Sequence, residues 1–295
     1  MKRRYVTLDV FTDRRFAGNP LAVVLEAEGL ATEQMQAVAN EFNLPETVFV
    51  LPAEDTKHRA RCRIFTPKRE LPFAGHPTVG TAVLLATLDG GKAGEFVLEE
   101  KIGLIRCRVK AREGGGEASF VLPSMPSEVT APPPNTTIAA ALGLDVADIG
   151  AGDLAPSCWS AGNPFLFVPL GSIDAVRRAA PDLAAFRALA PTFPGLFVFS
   201  RETAEKGNDF HARMFAPAMG IMEDPATGSA VAAFAGLIGR FGGYGDGDHS
   251  VAIEQGYEMG RPSLIHLGMT IVAKQFTAVT VGGDAVIVAE GAIEA

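Results

Sequence analysis

Phe210-His-Ala-Arg-Met-Phe-Ala-Pro217, then Met222-Glu-Asp-Pro-Ala-Thr-Gly-Ser-Ala230 and an apolar run to Leu237, reads as a strand, a loop and a helix that begins at Gly228-Ser229. The same phrase occurs earlier in the chain. Arg63-Ile-Phe-Thr-Pro67 matches Arg213-Met-Phe-Ala-Pro217 at an offset of 150 residues. Gly75-His76 opens the run Thr78 to Ala86 as Gly228-Ser229 opens Ala230 to Leu237, at an offset of 153.

Two further landmarks recur in the same order. Ala17-Gly-Asn-Pro20 returns as Ala161-Gly-Asn-Pro164 at an offset of 144, each before a strand (Leu21 to Leu25, Phe165 to Val168). Leu44-Pro-Glu-Thr-Val-Phe-Val50 parallels Phe193-Pro-Gly-Leu-Phe-Val-Phe199 at an offset of 149. Offsets that drift by a few residues are what small insertions produce, so the chain reads as two structurally similar halves. Residues 1–127, completed by a strand near 280–295, form the first, and residues 128–280 the second. The segment Pro123 to Asn135 carries five prolines without periodicity and is the expected linker.

Within the first half, Tyr5 to Phe11 alternates as a strand does, and Arg61 to Thr66 is another. Met35, Val38, Ala39 and Phe42 form the core stripe of a helix, with Thr32 as its N-cap. Pro45 disfavours helical geometry at Leu44 and stops it. Strands are expected at Thr47 to Leu51, Phe96 to Glu99, Leu104 to Lys110 and Ala118 to Leu122. The second half adds a helix near Leu183 to Leu189 and late strands at Val251 to Gln255, Leu264 to Leu267 and Val286 to Ala289. Phe241 to Gly247 is glycine-rich but lacks the Gly-Lys-Ser/Thr of a nucleotide loop and reads as a turn.

Composition narrows the function classes. With 295 residues, 47% of them apolar, the chain can bury a substantial core. A formal net charge of −8 without a basic cluster argues against binding nucleic acid by phosphate neutralisation. No apolar stretch is long enough to span a bilayer, and charged residues interrupt the segment after Lys2-Arg3-Arg4, so no leader is expected. Three widely spaced cysteines (Cys62, Cys107, Cys158) fit neither a disulfide framework nor a zinc site, and a cytoplasmic protein is expected. The five histidines show no paired ligand spacing, so no metal is expected.

The informative positions are those where the repeat breaks. Glu46 stands where the second half has Gly195. Partial burial between a helix stop and an apolar strand would suit it to general acid–base work, whereas in a solvated loop it would have none. His76 sits in the first turn of a helix, where the dipole disfavours the imidazolium and favours a neutral hydrogen-bonding role. Ser229 is either an N-cap or a substrate-facing hydroxyl. Asp224 either accepts a hydrogen bond from substrate or ties its loop through an Asx-turn. Two glycine-led helix starts, Gly75-His76 and Gly228-Ser229, offer free backbone N–H groups to a carboxylate.

Taken together, Gly18-Asn-Pro-Leu-Ala-Val23, Asn43-Leu-Pro-Glu-Thr47, Phe73-Ala-Gly-His-Pro-Thr78, Glu223-Asp-Pro-Ala-Thr-Gly-Ser-Ala230, Glu254-Gln-Gly and Met259-Gly-Arg-Pro-Ser263 resemble the PhzF family of phenazine-biosynthesis-type isomerases. The resemblance implies the α+β diaminopimelate epimerase-like fold: two pseudo-symmetric halves, each a highly curved, mostly antiparallel sheet wrapped around a central helix. It further implies an active site between the halves, a homodimer, and an isomerisation without cofactor or metal. On the family's pattern Glu46 shuttles a proton between substrate carbons, with His76, Asp224 and Ser229 beside it and Gly75, Thr227 and Gly228 at the substrate. Epimerases of the wider fold place a cysteine at each helix start. This chain has His76 and Ser229 there, so its residue types exclude the two-thiol mechanism.

The expected function is therefore proton transfer between carbons of a small carboxylate substrate, without partner nucleic acid or membrane. A racemase, dehydratase or lyase, or a binding protein that has lost turnover, are the alternatives.

Overall fold

The computed structural model describes residues 1–189 and 191–295. The chain divides into two compact units, Met1–Pro123 with Val281–Ala295 and Ser124–Thr280.

The first unit contains β1 (Lys2–Val10), β2 (Asn19–Val24), α1 (Thr32–Phe42), β3 (Glu46–Leu51), β4 (Ala60–Phe65), β5 (Glu70–Leu71), α2 (Gly75–Leu88), β6 (Gly94–Glu100), β7 (Gly103–Arg112) and β8 (Gly115–Val121). β1 pairs antiparallel with β2, β2 parallel with β3, β3 antiparallel with β4, and β4 parallel with β6. β6, β7 and β8 form an antiparallel meander. The last strand of the chain, Gln275–Glu294, pairs with both β8 and β1 through its second half and closes the ring. At the centre lies α2, buried from Gly75 to Ala86. Such all-round burial explains its apolar composition: a helix enclosed by strands has no polar face to keep. Gly80 is where strand and helix press closest, since a Cβ there would lie 2.6 Å from Leu21 Cδ2 and 2.7 Å from Val10 Cγ2.

The second unit contains β9 (Ser127–Glu128), α3 (Asn135–Leu142), β10 (Ser157–Ser160), β11 (Pro164–Pro169), α4 (Ile173–Arg178), α5 (Leu183–Leu189), β12 (Leu196–Ser200), β13 (Phe210–Ala216), β14 (Ile221–Asp224), α6 (Gly228–Phe241), β15 (Gly247–Gln255) and β16 (Ser263–Val272); the long closing strand, β17, begins here. Its pairings repeat the first unit's in kind: β11 parallel with β12, β12 antiparallel with β13, β13 parallel with β15. The central helix is α6. Its Phe234 packs against Phe167, Phe197, Phe199 and Phe210, with ring centroids 4.7–5.7 Å apart. Removing such a ring from a core costs about 3–5 kcal/mol. A second core joins α3, α4 and α5 to β11 and β12 through Ile138, Leu142, Val176, Phe186 and Leu196.

The expected α+β arrangement of curved sheets around central helices is the one observed. Several local expectations are corrected. Thr32 is the first residue of α1 and not its N-cap; Ala31 flanks the helix, the Gln34 side chain returns to the Ala31 N–H (2.9 Å), and the Thr32 hydroxyl accepts from Arg63 (3.0 Å). The proline-rich segment contains a strand, because β9 pairs with β10 at Glu128 and Ser127. The loop before α6 holds β14, which folds back on β13. Val286 to Ala289 is a fragment of the twenty-residue β17.

Candidate active site

The carboxyl of Glu46 is positioned by two local devices. α1 ends on Asn43 in the left-handed region (φ 50°), with its N–H on the Ala39 carbonyl (3.2 Å), and Pro45 then turns the chain into β3. Parallel pairing sets Glu46 opposite Leu21, at the first position of the strand. Its side chain is 12% exposed, and Oε2 lies 3.3 Å from His76 Nε2, a side chain 6% exposed.

His76 is the second residue of α2, after Gly75 and the extended Ala74. The flanking Ala74 supplies no side-chain cap to this helix start, and Pro77 brings no N–H of its own. Burial pushes the imidazole down to about 3, with the Pro20 carbonyl pulling the other way. The positive end of the helix acts in the same direction as burial. His76 is therefore neutral at physiological pH, and its contact with Glu46 is not an ion pair between two full charges.

In the second unit the loop from Asp224 to Gly228 is held by a network of neutral and charged polar groups. Thr227 flanks α6 and donates its hydroxyl to Asp224 Oδ2 (2.6 Å). Gln255, fully buried, accepts from the Thr227 N–H (3.0 Å) and donates to the Asp224 carbonyl (2.6 Å) and the Thr227 hydroxyl (3.0 Å). Ser263 adds a hydrogen bond to the Pro225 carbonyl (2.9 Å). Ser229 is not the N-cap; it is the second residue of α6, half-buried, at the position His76 occupies in α2.

The structure thus brings Glu46, His76 and Gly75 together in the first unit, and Asp224, Thr227, Gly228 and Ser229 together in the second. Clefts described within the single units lie elsewhere: one of about 790 Å³ beside His58, Arg61 and Glu100, another of about 850 Å³ beside Trp159 and Tyr244. No cluster of three or more metal-ligating side chains occurs among the described residues. The three cysteines are buried, and burial raises each thiol above its ordinary value. None stands at a helix start.

Sequence reasoning missed two matched buried carboxylates. Glu99 accepts from the backbone N–H groups of Glu54 (2.7 Å) and Asp55 (3.0 Å) and from His58 Nδ1 (2.8 Å). The Asp55 and Glu54 amides hold its carboxyl down to about 2. Glu254 does the same work in the second unit on Ala204, Glu205, Asn208 and His211. Their equivalence rests on pairing, Arg61 opposite Glu99 and His211 opposite Glu254. The partners lie more than forty residues away, so nothing in local pattern could have revealed them.

Residues 8–291 match the family model described as phenazine biosynthesis-like protein. The chain is 48% identical to an uncharacterized isomerase of Mesorhizobium japonicum, over 98% of both chains. It is 37% identical to the trans-2,3-dihydro-3-hydroxyanthranilate isomerase of Pseudomonas chlororaphis, again over 98% of both. The crystal structure of the Bacillus anthracis phenazine biosynthesis protein of the PhzF family superposes over all of both chains with a TM-score of 0.90 at 26% identity. On the family match over nearly the whole chain, the named isomerase relatives and the shared α+β fold, the chain belongs to the PhzF-type phenazine biosynthesis-like family and is an isomerase.

Proposed function

We propose that the protein moves a proton between two carbons of a small carboxylate-bearing substrate, with Glu46 as the single acid–base group and no cofactor or metal in the reaction. The observation that carries this is the pairing of a largely buried Glu46 with His76 at 3.3 Å, at a position where the repeat has Gly195 in the other unit. A carboxylate accepts the proton from a carbon acid and returns it as the carboxylic acid, so one residue suffices if both carbons come within its reach. Neutral His76 serves as a hydrogen-bonding neighbour without adding a competing charge. The start of α2, Gly75-His76, offers backbone N–H groups to the substrate's carboxylate, and the start of α6, Gly228-Ser229, offers the same kind of anion site in its own unit. Asp224 and Thr227 keep the second of these in shape and present a polar edge to substrate.

The relatives named trans-2,3-dihydro-3-hydroxyanthranilate isomerase make that compound the first candidate for this chain. A homodimer working in the cytoplasm completes the reading. The test is incubation in deuterated water with this compound and a panel of small unsaturated amino and hydroxy acids. Solvent deuterium at the receiving carbon, with no change in composition, supports the proposal. Loss of water or ammonia, or simple inversion at one carbon, points to the lyase or racemase alternative; binding without exchange points to a binding protein.

A further inference from the structure

Glu100 closes β6 and reaches the first turn of α2. Thr78 Oγ1 lies 2.7 Å from Glu100 Oε1 and 2.8 Å from the Ala74 carbonyl. A threonine hydroxyl carries one proton, and a backbone carbonyl can only accept. Both contacts hold a proton only if Thr78 donates to Ala74 and Glu100 donates to Thr78. That arrangement requires the carboxyl to be the protonated acid. Its other oxygen, Oε2, is buried with no hydrogen-bond partner among the described residues, a position that would penalise a carboxylate. Burial also raises its pKa to about 8; a hydrogen bond donated by Thr78 would oppose that rise, whereas one donated to Thr78 does not.

The second unit supplies an independent comparison. Since Glu99 matches Glu254 by register, Glu100 matches Gln255. Gln255 ties the end of β15 to the start of α6 through an amide, a group that donates and accepts and never ionises. A protonated Glu is the nearest acidic equivalent of that amide.

We propose that Glu100 is a positioning residue held as a neutral carboxylic acid, and that its hydrogen bond to Thr78 fixes the first turn of α2 and with it His76. This rests on the reading that Glu46 and His76 form part of the active site. Ionisation of Glu100 places a buried charge against that turn and disturbs His76 without touching substrate. The groups facing Glu100 do not neutralise such a charge. Cys62 on β4 and Cys107 on β7 are thiols whose pKa values burial, and then any charge on Glu100, raise above the ordinary value, so neither supplies a compensating charge. In the adjoining cleft Arg61 is paired with Glu54, Arg63 and Lys101 with Glu70, and His58 with Glu99. Because the folded pKa lies above the unfolded one, the stability linked to this proton is present at low pH and lost as pH rises through about 8.

The experiment uses the full chain and the variants E100Q and T78V. In infrared difference spectra, wild type at pH 7 should show a protonated carboxylic C=O band that E100Q lacks and that disappears as pH rises through about 8. With ¹⁵N-labelled histidine, the His76 ring signals should move between pH 7 and 9 in wild type and stay still in E100Q. Wild-type kcat should fall as pH rises through about 8 and E100Q kcat should not, while T78V loses up to ~10²-fold in kcat with KM little changed. Absence of the infrared band, or identical His76 titration in wild type and E100Q, overturns the inference. Both readouts need no substrate, so they decide it even if no carboxylate is turned over and the proposed function fails.

Discussion

The first turns of α2 and α6 occupy matching places in two units built to one plan, yet they are held in different ways. Around α6 the holding groups are Gln255, Thr227 and Asp224, a network already satisfied within its own unit. Around α2 stand His76, Glu46 and the buried acid Glu100. Elsewhere the repeat is kept: Glu99 with Glu254 closes equivalent loops, and Arg63 with Arg213 pairs with Glu70 and Glu223. Structure-bearing polar groups were retained in both copies. Of the largely buried titratable groups at the two helix starts, Asp224 stands at α6, whereas Glu46, His76 and Glu100 gather at α2, which is where proton chemistry is best sought.

The comparison can be broken most forcefully at the matched arginines. Arg213 makes two hydrogen bonds to Glu223 and three to carbonyls at the end of α4, and its side chain is 10% exposed. Removing it strands Glu223 and those carbonyls, so Arg213→Ala should cost about 3–5 kcal/mol. Arg63 is 24% exposed and bonds Glu70 and Thr32, so water can replace much of what Arg63→Ala removes. Its cost should be less than half as large, roughly 1–2 kcal/mol. Chemical denaturation measures both; equal losses would mean that the units do not differ as described.

A smaller effect tests why Glu46 has no counterpart. Phe165 lies across from Gly195, and a Cβ there would meet the ring at 2.9 Å. In the first unit that register holds Leu21 opposite Glu46, which leaves room for a carboxylate. Gly195→Ala should therefore destabilise by about 1–3 kcal/mol through overpacking. A neutral substitution would remove the packing explanation for the asymmetry. The smallest expected effect is at the cysteines: replacing Cys62, Cys107 and Cys158 with Ala or Ser should leave kcat nearly unchanged in the folded protein. Activity lost on thiol alkylation without unfolding would restore a thiol mechanism.

Much of this architecture was legible because it is written in local signals. Strands before α2 and α6 carry the same Arg-x-Phe-x-Pro phrase, and both helices start at glycine, so their offsets could be read directly. Thr32 was misread because a residue thirty-one positions away, Arg63, takes its hydroxyl. β14 escaped notice because four residues are too short for periodicity, and its pairing with β13 supplies what its pattern does not. Glu46 and His76 could be singled out by comparing the halves, but their 3.3 Å contact depends on tertiary packing. Glu100 looks like any acidic residue ending a strand, and only burial beside Thr78 gives it a different chemistry.

The central claim is that one carboxylate, Glu46, carries the proton. Its most direct test is the rate of solvent-deuterium incorporation into trans-2,3-dihydro-3-hydroxyanthranilate by wild type and by Glu46→Gln, with folding and ligand binding checked on the same samples. The account predicts a fall of ~10²–10⁴-fold or more in the variant, with fold and binding nearly intact. A folded Glu46→Gln protein that exchanges deuterium at close to the wild-type rate would contradict it.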